Sequence, residues 1–366
     1  MWLLDDSAVT DEPKQPEGHR RRPRYGGTHP RHFDQKYKER NPDKYPDLQQ
    51  KLRAKGKTPA GSHVPVLVEE VMGCLNPKPG EIVADCTVGY GGHAREFLRR
   101  IGNHGRLIGF DVDAAELEKT RQRLSGFASQ IRLYHMNFAG LANILAKEQI
   151  DGYDIIFADL GVSSMQIDDP SRGISYKHDG PLDMRMDSRL KQTGADLLAS
   201  MSMEELSQAL NELSDEPDHE QIAHMIVGQR SIQPITQTSQ LLRLVLNAKG
   251  FTQKTWKKQQ KQSDFGSLHP AARTFQALRI LVNDELAALK ELLRVAPWCL
   301  RPGGRIGIIS FHSGEDRLVK HAFRDGIEQR TYASISQDAL VPRAQEKLHN
   351  PRSASAKFRW AVKPTS

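Results

Sequence analysis

Between residues 82 and 161, four short apolar runs alternate with segments of helical periodicity, and nothing else in the chain restricts its fold as strongly. The runs are IVADCTV, RLIGFDVD (106–113), IRLYHMN (131–137) and YDIIFADLG (153–161). The first ends in a glycine-rich turn, and AAELEKTRQRLSGF and LANILAKEQI separate the later ones. Strand and helix at this spacing predict βαβ units and a parallel sheet. Upstream, HVPVLVEEVMGCL reads as the start of a short helix with Val66, Val71 and Leu75 available to a core.

The alternation then stops. SMEELSQALNEL carries a capping box, Ser202 with Glu205, and offers Leu206, Ala209, Leu210 and Leu213 on one face. EQIAHMIVGQR, TSQLLRLVLNAKG and the long HPAARTFQALRILVNDELAALKELLRVAP also read as helices. FTQKTWKKQQKQSDFGSL between the last two reads as a polar loop, with four lysines around Trp256. GGRIGIISFHS (303–313) restores strand texture, and KFRWAVKP (357–364) reads as an edge strand. The expected architecture is a doubly wound α/β sheet over residues 61–170 and 276–366, interrupted by a helical insert at 171–275. Residues 1–60, built around GHRRRPRYGGTHPRH, have little to bury and read as a disordered extension.

Bulk properties narrow the class. No apolar run approaches the roughly 18 residues of a membrane span. The start MWLLDDSAVTDEP lacks the basic region of a secretory signal, and acids scattered through the first fifty residues disfavour a transit peptide. Cys74, Cys86 and Cys299 form no CxxC or Cys/His cluster. That argues against a disulfide framework or structural zinc and suits a reducing cytoplasm. Of the net charge of +7, residues 1–60 supply +5 (14 Lys/Arg against 9 Asp/Glu), leaving +2 for the rest. A basic appendage on a near-neutral body suits a polyanionic partner, and equally a solubilising tail.

In an open α/β sheet the ligand lies beyond the carboxyl ends of the strands. Four features converge there. VGYGGH places Gly89, Gly91, Gly92 and His93 after the first strand, where backbone can approach a ligand and a helix N-terminus offers amides; a plain tight turn would read the same way. Asp111 ends the second strand, where a carboxylate can accept from both ribose hydroxyls, whereas Asp113 is better placed as a helix cap. Asn137 and Phe138 follow the third strand, where an adenine could lie. Asp159 follows the apolar fourth strand, where an acid requires a ligand or a hydrogen-bond network. The glycine spacing differs from GxGxxG, and GxxxxGK[ST] is missing. An acid-rich pocket of Asp85, Asp111 and Asp159 favours a ligand bearing an ammonium and a sulfonium over a pyrophosphate. S-adenosyl-L-methionine is therefore preferred to NAD.

HVPVLVEEV, DCTVGYGGHA, DLGVSSMQIDDPSRGISYKHDGPLDMRMD, HPAARTFQALRILVNDEL, LRPGGRIGIISFHSGEDRLVK and NPRSASAKFR together resemble the MraW/RsmH-type methyltransferases, in order, from about residue 62 to 362. The resemblance implies a Rossmann-like class I methyltransferase fold with an inserted RNA-recognition domain. It further implies S-adenosyl-L-methionine as methyl donor and the exocyclic amine of a cytidine in small-subunit ribosomal RNA as acceptor. Carried over position by position, the donor-binding residues are Gly91, Gly92, His93, Asp111, Phe138, Asp159 and Gln166. The chain departs from the family at Ala272, usually Thr, and at Gly314, usually Leu.

Many amino-methyltransferases carry an acid-Pro-Pro-aromatic motif after the fourth strand to draw on the amine protons. Here the sequence is DLGVSS, so the acceptors must be others. Candidates are Asp159, the carbonyls of Gly161 to Ser163, Asp183 or Asp187, and His312, for which helix capping is as good a reading. A donor- and RNA-binding assembly factor without turnover and an NAD-dependent oxidoreductase are the rival functions.

Overall fold

The computed structural model describes residues 65–262 and 268–365, so the basic extension lies outside the described residues. Helix α1 (Val68–Leu75) buries Val71, Met72 and Leu75. The expected alternation follows: β1 (Ile82–Asp85), α2 (Gly92–Ile101), β2 (Arg106–Asp111), α3 (Ala114–Arg123), β3 (Ile131–His135), α4 (Leu141–Glu148) and β4 (Tyr153–Asp159). In α2 the buried Ala94, Phe97, Leu98 and Ile101 recur at helical spacing and turn one face to the sheet. Asp113 caps α3, accepting hydrogen bonds from the Ala115 and Glu116 amides.

Helix α5 (Ser164–Asp168) leads into the insert, whose helices are α6 (Gly194–Ser200), α7 (Met203–Ser214), α8 (His219–Arg230), α9 (Thr238–Ala248), α10 (Gln253–Gln262) and α11 (Ala272–Asn283). The capping box at Ser202 forms as read, and Leu206 and Leu210 are buried. Within the stretch read as a lysine-rich loop, Gln253–Gln262 form helix α10 instead. Thr252 accepts from the Thr255 amide at its start, and Trp256 is buried edge-on against Phe251 and His269. One capped turn and one large anchored ring suffice where the remaining residues are good helix formers.

The segment read as one long helix is two. Asp284 adopts a left-handed conformation (φ 49, ψ 42) between α11 and α12 (Glu285–Cys299), which a short polar side chain tolerates. Phe275, Leu278 and Val282 of α11 belong to the same buried cluster as Leu182, Leu206 and Leu241. A boundary at residue 275 therefore cuts through a helix of the insert.

The sheet resumes with β5 (Leu300–Ser310), followed by α13 (Ser313–Glu328), β6 (Ser334–Ile335), α14 (Ala344–His349) and β7 (Lys357–Val362). Strand order is β3-β2-β1-β4-β5-β7-β6. The pairs from β3 to β5 are parallel, whereas β7 is antiparallel to both its neighbours. The segment read as an edge strand thus lies one place inside. Two-residue β6 forms the edge, pairing Ser334 and Ile335 with Val362 and Ala361.

Residues of β1, β2 and β4 divide by parity between two apolar layers. Ala84, Ile108, Phe110, Ile156 and Ala158 pack with α4, α12 and α13 residues. Val83, Leu107, Ile155 and Phe157 pack with α1 and α2. Strands buried on both faces explain why those runs are continuously apolar rather than alternating. Among the described residues no helix is long and apolar enough to cross a membrane.

Candidate functional site

With β2 on one side of β1 and β4 on the other, the connections reverse direction at β1, and a crevice opens at the carboxyl ends of the strands. A cavity of about 290 Å³ lies there, with walls from the ends of β1, β2, β3 and β4, from α5, and from the junction of α11 with α12.

Of the seven residues expected to hold a donor, six line the cavity: Gly92, His93, Asp111, Phe138, Asp159 and Gln166. Gly91 does not. Its amide donates to the Val88 carbonyl, and its φ of 83 at the N-cap of α2 turns the chain into the helix. A Cβ there would approach Thr120 to 3.0 Å. A Cβ on Gly92 would reach within 3.0 Å of Pro65 on the cavity wall. No side chain caps α2, so the first-turn amides sit at the cavity edge.

Asp111 is held by two backbone amides. Its Oδ2 accepts from Gly89 N and its Oδ1 from Asp113 N, each at 2.8 Å. Burial lifts its carboxyl to about 6 despite those two amides, aided by the nearby Asp113 and Glu116 charges. Thr120 Oγ1 donates to the Gly89 carbonyl and pins the other side of the turn. Asn137 caps the turn carrying Phe138, accepting from Ala139 N at 2.9 Å, and both residues line the cavity.

Asp159 donates its amide to Thr87 Oγ1 at 2.6 Å. Its Oδ2 lies 3.6 Å from His93 Nδ1, while its Oδ1 is buried with no hydrogen-bond partner among the described residues. Burial, with the charges of Asp85 and Glu315, pushes its carboxyl up to about 8. Asp85 is not on the cavity wall, contrary to the sequence reading. It is buried beneath the turn, accepting from Thr87 N at 3.1 Å, and burial raises it to about 7. It shapes the pocket electrostatically rather than by contact.

Gln166 closes a capping box. Its Oε1 accepts from Ser163 N at 2.9 Å and its Nε2 donates to Asp113 Oδ2 at 3.1 Å. Asp113 also pairs with Arg172 at 2.6 Å, so the cap of α3 anchors the segment that leads into the insert.

The far wall holds residues that the sequence reading missed. Asn283 Nδ2 donates to the Met184 and Arg279 carbonyls at 2.8 and 2.9 Å, and its Oδ1 accepts from Met186 N at 2.7 Å. This carboxamide joins GPLDMRMD to the helix of HPAARTFQALRILVNDEL. Glu285 lines the cavity as one partner of a two-point pair with Arg279 at 2.8 and 2.9 Å. Glu315 accepts from Phe311 N at 2.9 Å. Burial opposes its charge, but His312, that amide and Arg279 outweigh burial and hold its carboxyl below the usual range. Only the acid in FHSGEDR, just past an apolar run, hinted at Glu315.

Among the proposed amine-proton acceptors, Asp159, Gly161 to Ser163 and Asp187 lie on the cavity. Asp183 and His312 do not. Asp183 is bound at two points by Arg185, and His312 caps α13 through its ring.

A family model described as the MraW methylase family matches residues 60–364. Ribosomal RNA small subunit methyltransferase H 1 of Lachnoclostridium phytofermentans is 42% identical over 368 residues, covering 98% of each chain. The protein of the same name from Agathobacter rectalis is 43% identical, over 94% of this chain and 98% of its own. Ribosomal RNA small subunit methyltransferase H 2 of Alkaliphilus metalliredigens is 42% identical, over 95% and 98%.

Proposed function

The chain belongs to the MraW methylase family, and from that premise we propose a role for each residue around the cavity. It is an S-adenosyl-L-methionine-dependent methyltransferase of Rossmann-like class I fold, acting on the exocyclic amine of a cytidine in small-subunit ribosomal RNA. A ribosomal substrate supports a cytoplasmic place of action.

The observation that carries the site assignment is one cavity uniting the pre-oriented Asp111 carboxylate with a buried Asp159 oxygen that has no hydrogen-bond partner among the described residues. Both fit the donor's chemistry: Asp111 has oxygens for two ribose hydroxyls, and Asp159 has an acceptor awaiting a cation or an N–H. Phe138 flanks the adenine, and Gly92 and His93 border the amino-acid end. Gln166 holds the wall between them, while Gly91 shapes the turn. When bound, S-adenosyl-L-methionine supplies an electrophilic methyl group on a sulfonium.

The protein's share is alignment, exclusion of water and management of one proton. Fixing two reactants in line is worth up to roughly 7–11 kcal/mol. The amine lone pair of cytosine is conjugated with its ring, so acceptors that draw on its N–H bonds localise that pair. Asp159 and the carbonyls of Gly161 to Ser163 border the cavity for this purpose, and Asp159 takes the proton that the amine loses. The cytosine must leave its stack to reach the cavity. Met186, Asp187 and Leu190 of the insert form the wall it would meet.

The test is transfer of radiolabelled methyl to small ribosomal subunits from a strain lacking the gene, followed by mass spectrometry of the RNA. N4-methylcytidine appearing with the wild type, and lost in Asp159→Asn, is expected. Donor and RNA binding without methylcytidine would instead establish an assembly factor.

A further inference from the structure

Asp111, Phe138 and the glycine turn occupy one end of the cavity. In the strand order β3-β2-β1-β4-β5, Phe138 follows β3, Asp111 ends β2, the turn follows β1 and Asp159 ends β4. The cavity continues past Asp159 to Phe311 and Glu315, which follow β5. There β4 and β5 stay paired: Asp159 lies opposite Ile309, and Leu160 N donates to the Ile309 carbonyl at 2.9 Å. A Cβ on Gly161 would lie 3.7 Å from the Phe311 ring. Glu315, which accepts from Phe311 N at 2.9 Å, therefore stands on the side of Asp159 away from the ribose site.

Both oxygens of this buried carboxylate are oriented. Oε2 takes the Phe311 amide, and Oε1 lies 3.2 Å from His312 Nε2. His312 Nδ1 accepts from Glu315 N at 3.4 Å, which leaves Nε2 to carry the ring hydrogen towards Oε1. Burial works against the charge, yet His312, the Phe311 amide and Arg279 together hold the group ionised. A carboxylate has about four acceptor sites, so each oxygen keeps capacity for an N–H from the cavity.

Neighbouring polar side chains are committed elsewhere. Arg279 binds Glu285 at two points, and Arg189 binds Asp187 at two points. The Asn283 carboxamide makes three bonds to backbone.

We propose that Glu315 is a second acceptor for the cytosine amine: it receives the N–H that the product keeps, while Asp159 faces the N–H that is lost. The inference rests on the cavity being the site of methyl transfer to cytidine. In that step the amine nitrogen bonds the methyl carbon, and the carbon–sulfur bond breaks with its electron pair going to sulfur. One amine proton passes to Asp159, and Glu315 takes none. Its part is to fix the plane of the amine and, with Asp159, to localise the nitrogen lone pair. Glu315 also selects the base. At that position cytosine offers hydrogens and uracil an oxygen, which a carboxylate repels.

The experiment uses the full chain carrying Glu315→Gln, which keeps the side chain's size and an oxygen for the Phe311 amide but removes the charge. Its substrates are unmethylated small ribosomal subunits with cytidine or uridine at the position that mass spectrometry shows to be modified. Methyl transfer at saturating substrates should fall roughly 10–100-fold, the worth of one hydrogen bond to a charged acceptor. Donor Kd by calorimetry should change less than about threefold, since no donor contact is lost. For the wild type, uridine subunits should compete about tenfold or more weakly than cytidine subunits. In Glu315→Gln, whose amide can donate to the uracil oxygen, that ratio should shrink to about threefold or less.

A donor Kd that rises in step with the lost rate overturns the inference, because Glu315 would then hold the donor. An unchanged rate overturns it. So does a slower rate with the cytidine-to-uridine ratio intact, which a merely structural role would give. The wild-type ratio is read whether or not the variant folds, and equal competition by the two kinds of subunit also overturns it. If the wild type transfers no methyl to cytidine subunits, the proposed function falls and the inference with it.

Discussion

Replacing Asp111 by Asn separates its binding role from its structural one. Each carboxylate oxygen takes one backbone amide, from Gly89 and from Asp113, and the residue borders the cavity. Hydrogen bonds to a charged acceptor contribute about 1.5–3 kcal/mol each, so losing two from the ribose should raise the donor Kd roughly 10²–10⁴-fold. The free protein should barely change. The lift of the carboxyl from 3.8 to about 6 means that its ionised form costs the fold roughly 3 kcal/mol at pH 7. Asn removes that cost. It also offers one acceptor to two amides, leaving one facing an NH2 group at a cost of about 1–3 kcal/mol.

The two effects nearly cancel, so Tm should move by no more than a few degrees while donor affinity collapses. Calorimetry and thermal scanning on the same sample read both. Donor affinity within tenfold of wild type would refute the ribose contact. A fall in Tm of more than about 8 °C would show that Asp111 chiefly scaffolds the glycine turn.

Three further outcomes follow from the same geometry. Burial raises Asp85, Asp111 and Asp159 to about 7, 6 and 8, so each binds its proton more tightly folded than unfolded. Their contribution is full below the unfolded value near pH 4 and is lost as pH rises through 6 to 8. Carboxylates held low by arginine, Asp183 and Asp316 among them, act in the opposite sense below about pH 4. Thermal scans of the free protein should therefore peak near pH 5, and a Tm at pH 8 matching that at pH 5.5 would contradict this.

A Cβ on Gly173 would sit 1.9 Å from the Pro181 carbonyl oxygen at φ +61. Gly173→Ala should thus cost about 2–4 kcal/mol, visible as a lower denaturation midpoint; an unchanged midpoint would mean the loop relaxes freely. Asn283→Ala removes the clamp on Met184 and Met186. It should reduce methyl transfer to RNA at least tenfold while changing donor Kd less than threefold, a split that steady-state kinetics and calorimetry together would reveal.

Much of the donor side was legible because it is written locally. Asp111 and Asp159 each end an apolar run, and the glycine turn directly follows another, so strand periodicity alone put them on one edge of a sheet. Asp113 as a cap rather than a ligand was legible for the same reason. The acceptor side was not. Asn283 and Glu285 flank a helix break that depends on Asp284 taking a left-handed conformation, and the helical pattern runs through that point without interruption. Helix α10 was missed because Trp256, which anchors it, packs on His269 beyond the helix as well as on nearby Phe251, and the contact with His269 leaves no mark in the local polar pattern.

Asp85 marks the division most plainly. Its position at a strand end is the same in sequence as that of Asp111 or Asp159, and the pattern gave all three to the pocket. Only the packing of the turn over Asp85 decided that it lies beneath the wall, where it acts through its field. Sequence by itself determined which residues reach the carboxyl edge of the sheet, since strand period and length are local properties. Tertiary structure decided which face solvent and which face one another. It thereby decided that Asp159 is buried against His93 while Asp111 is held by the amides of Gly89 and Asp113, because burial and contacts across the chain belong to the assembled fold.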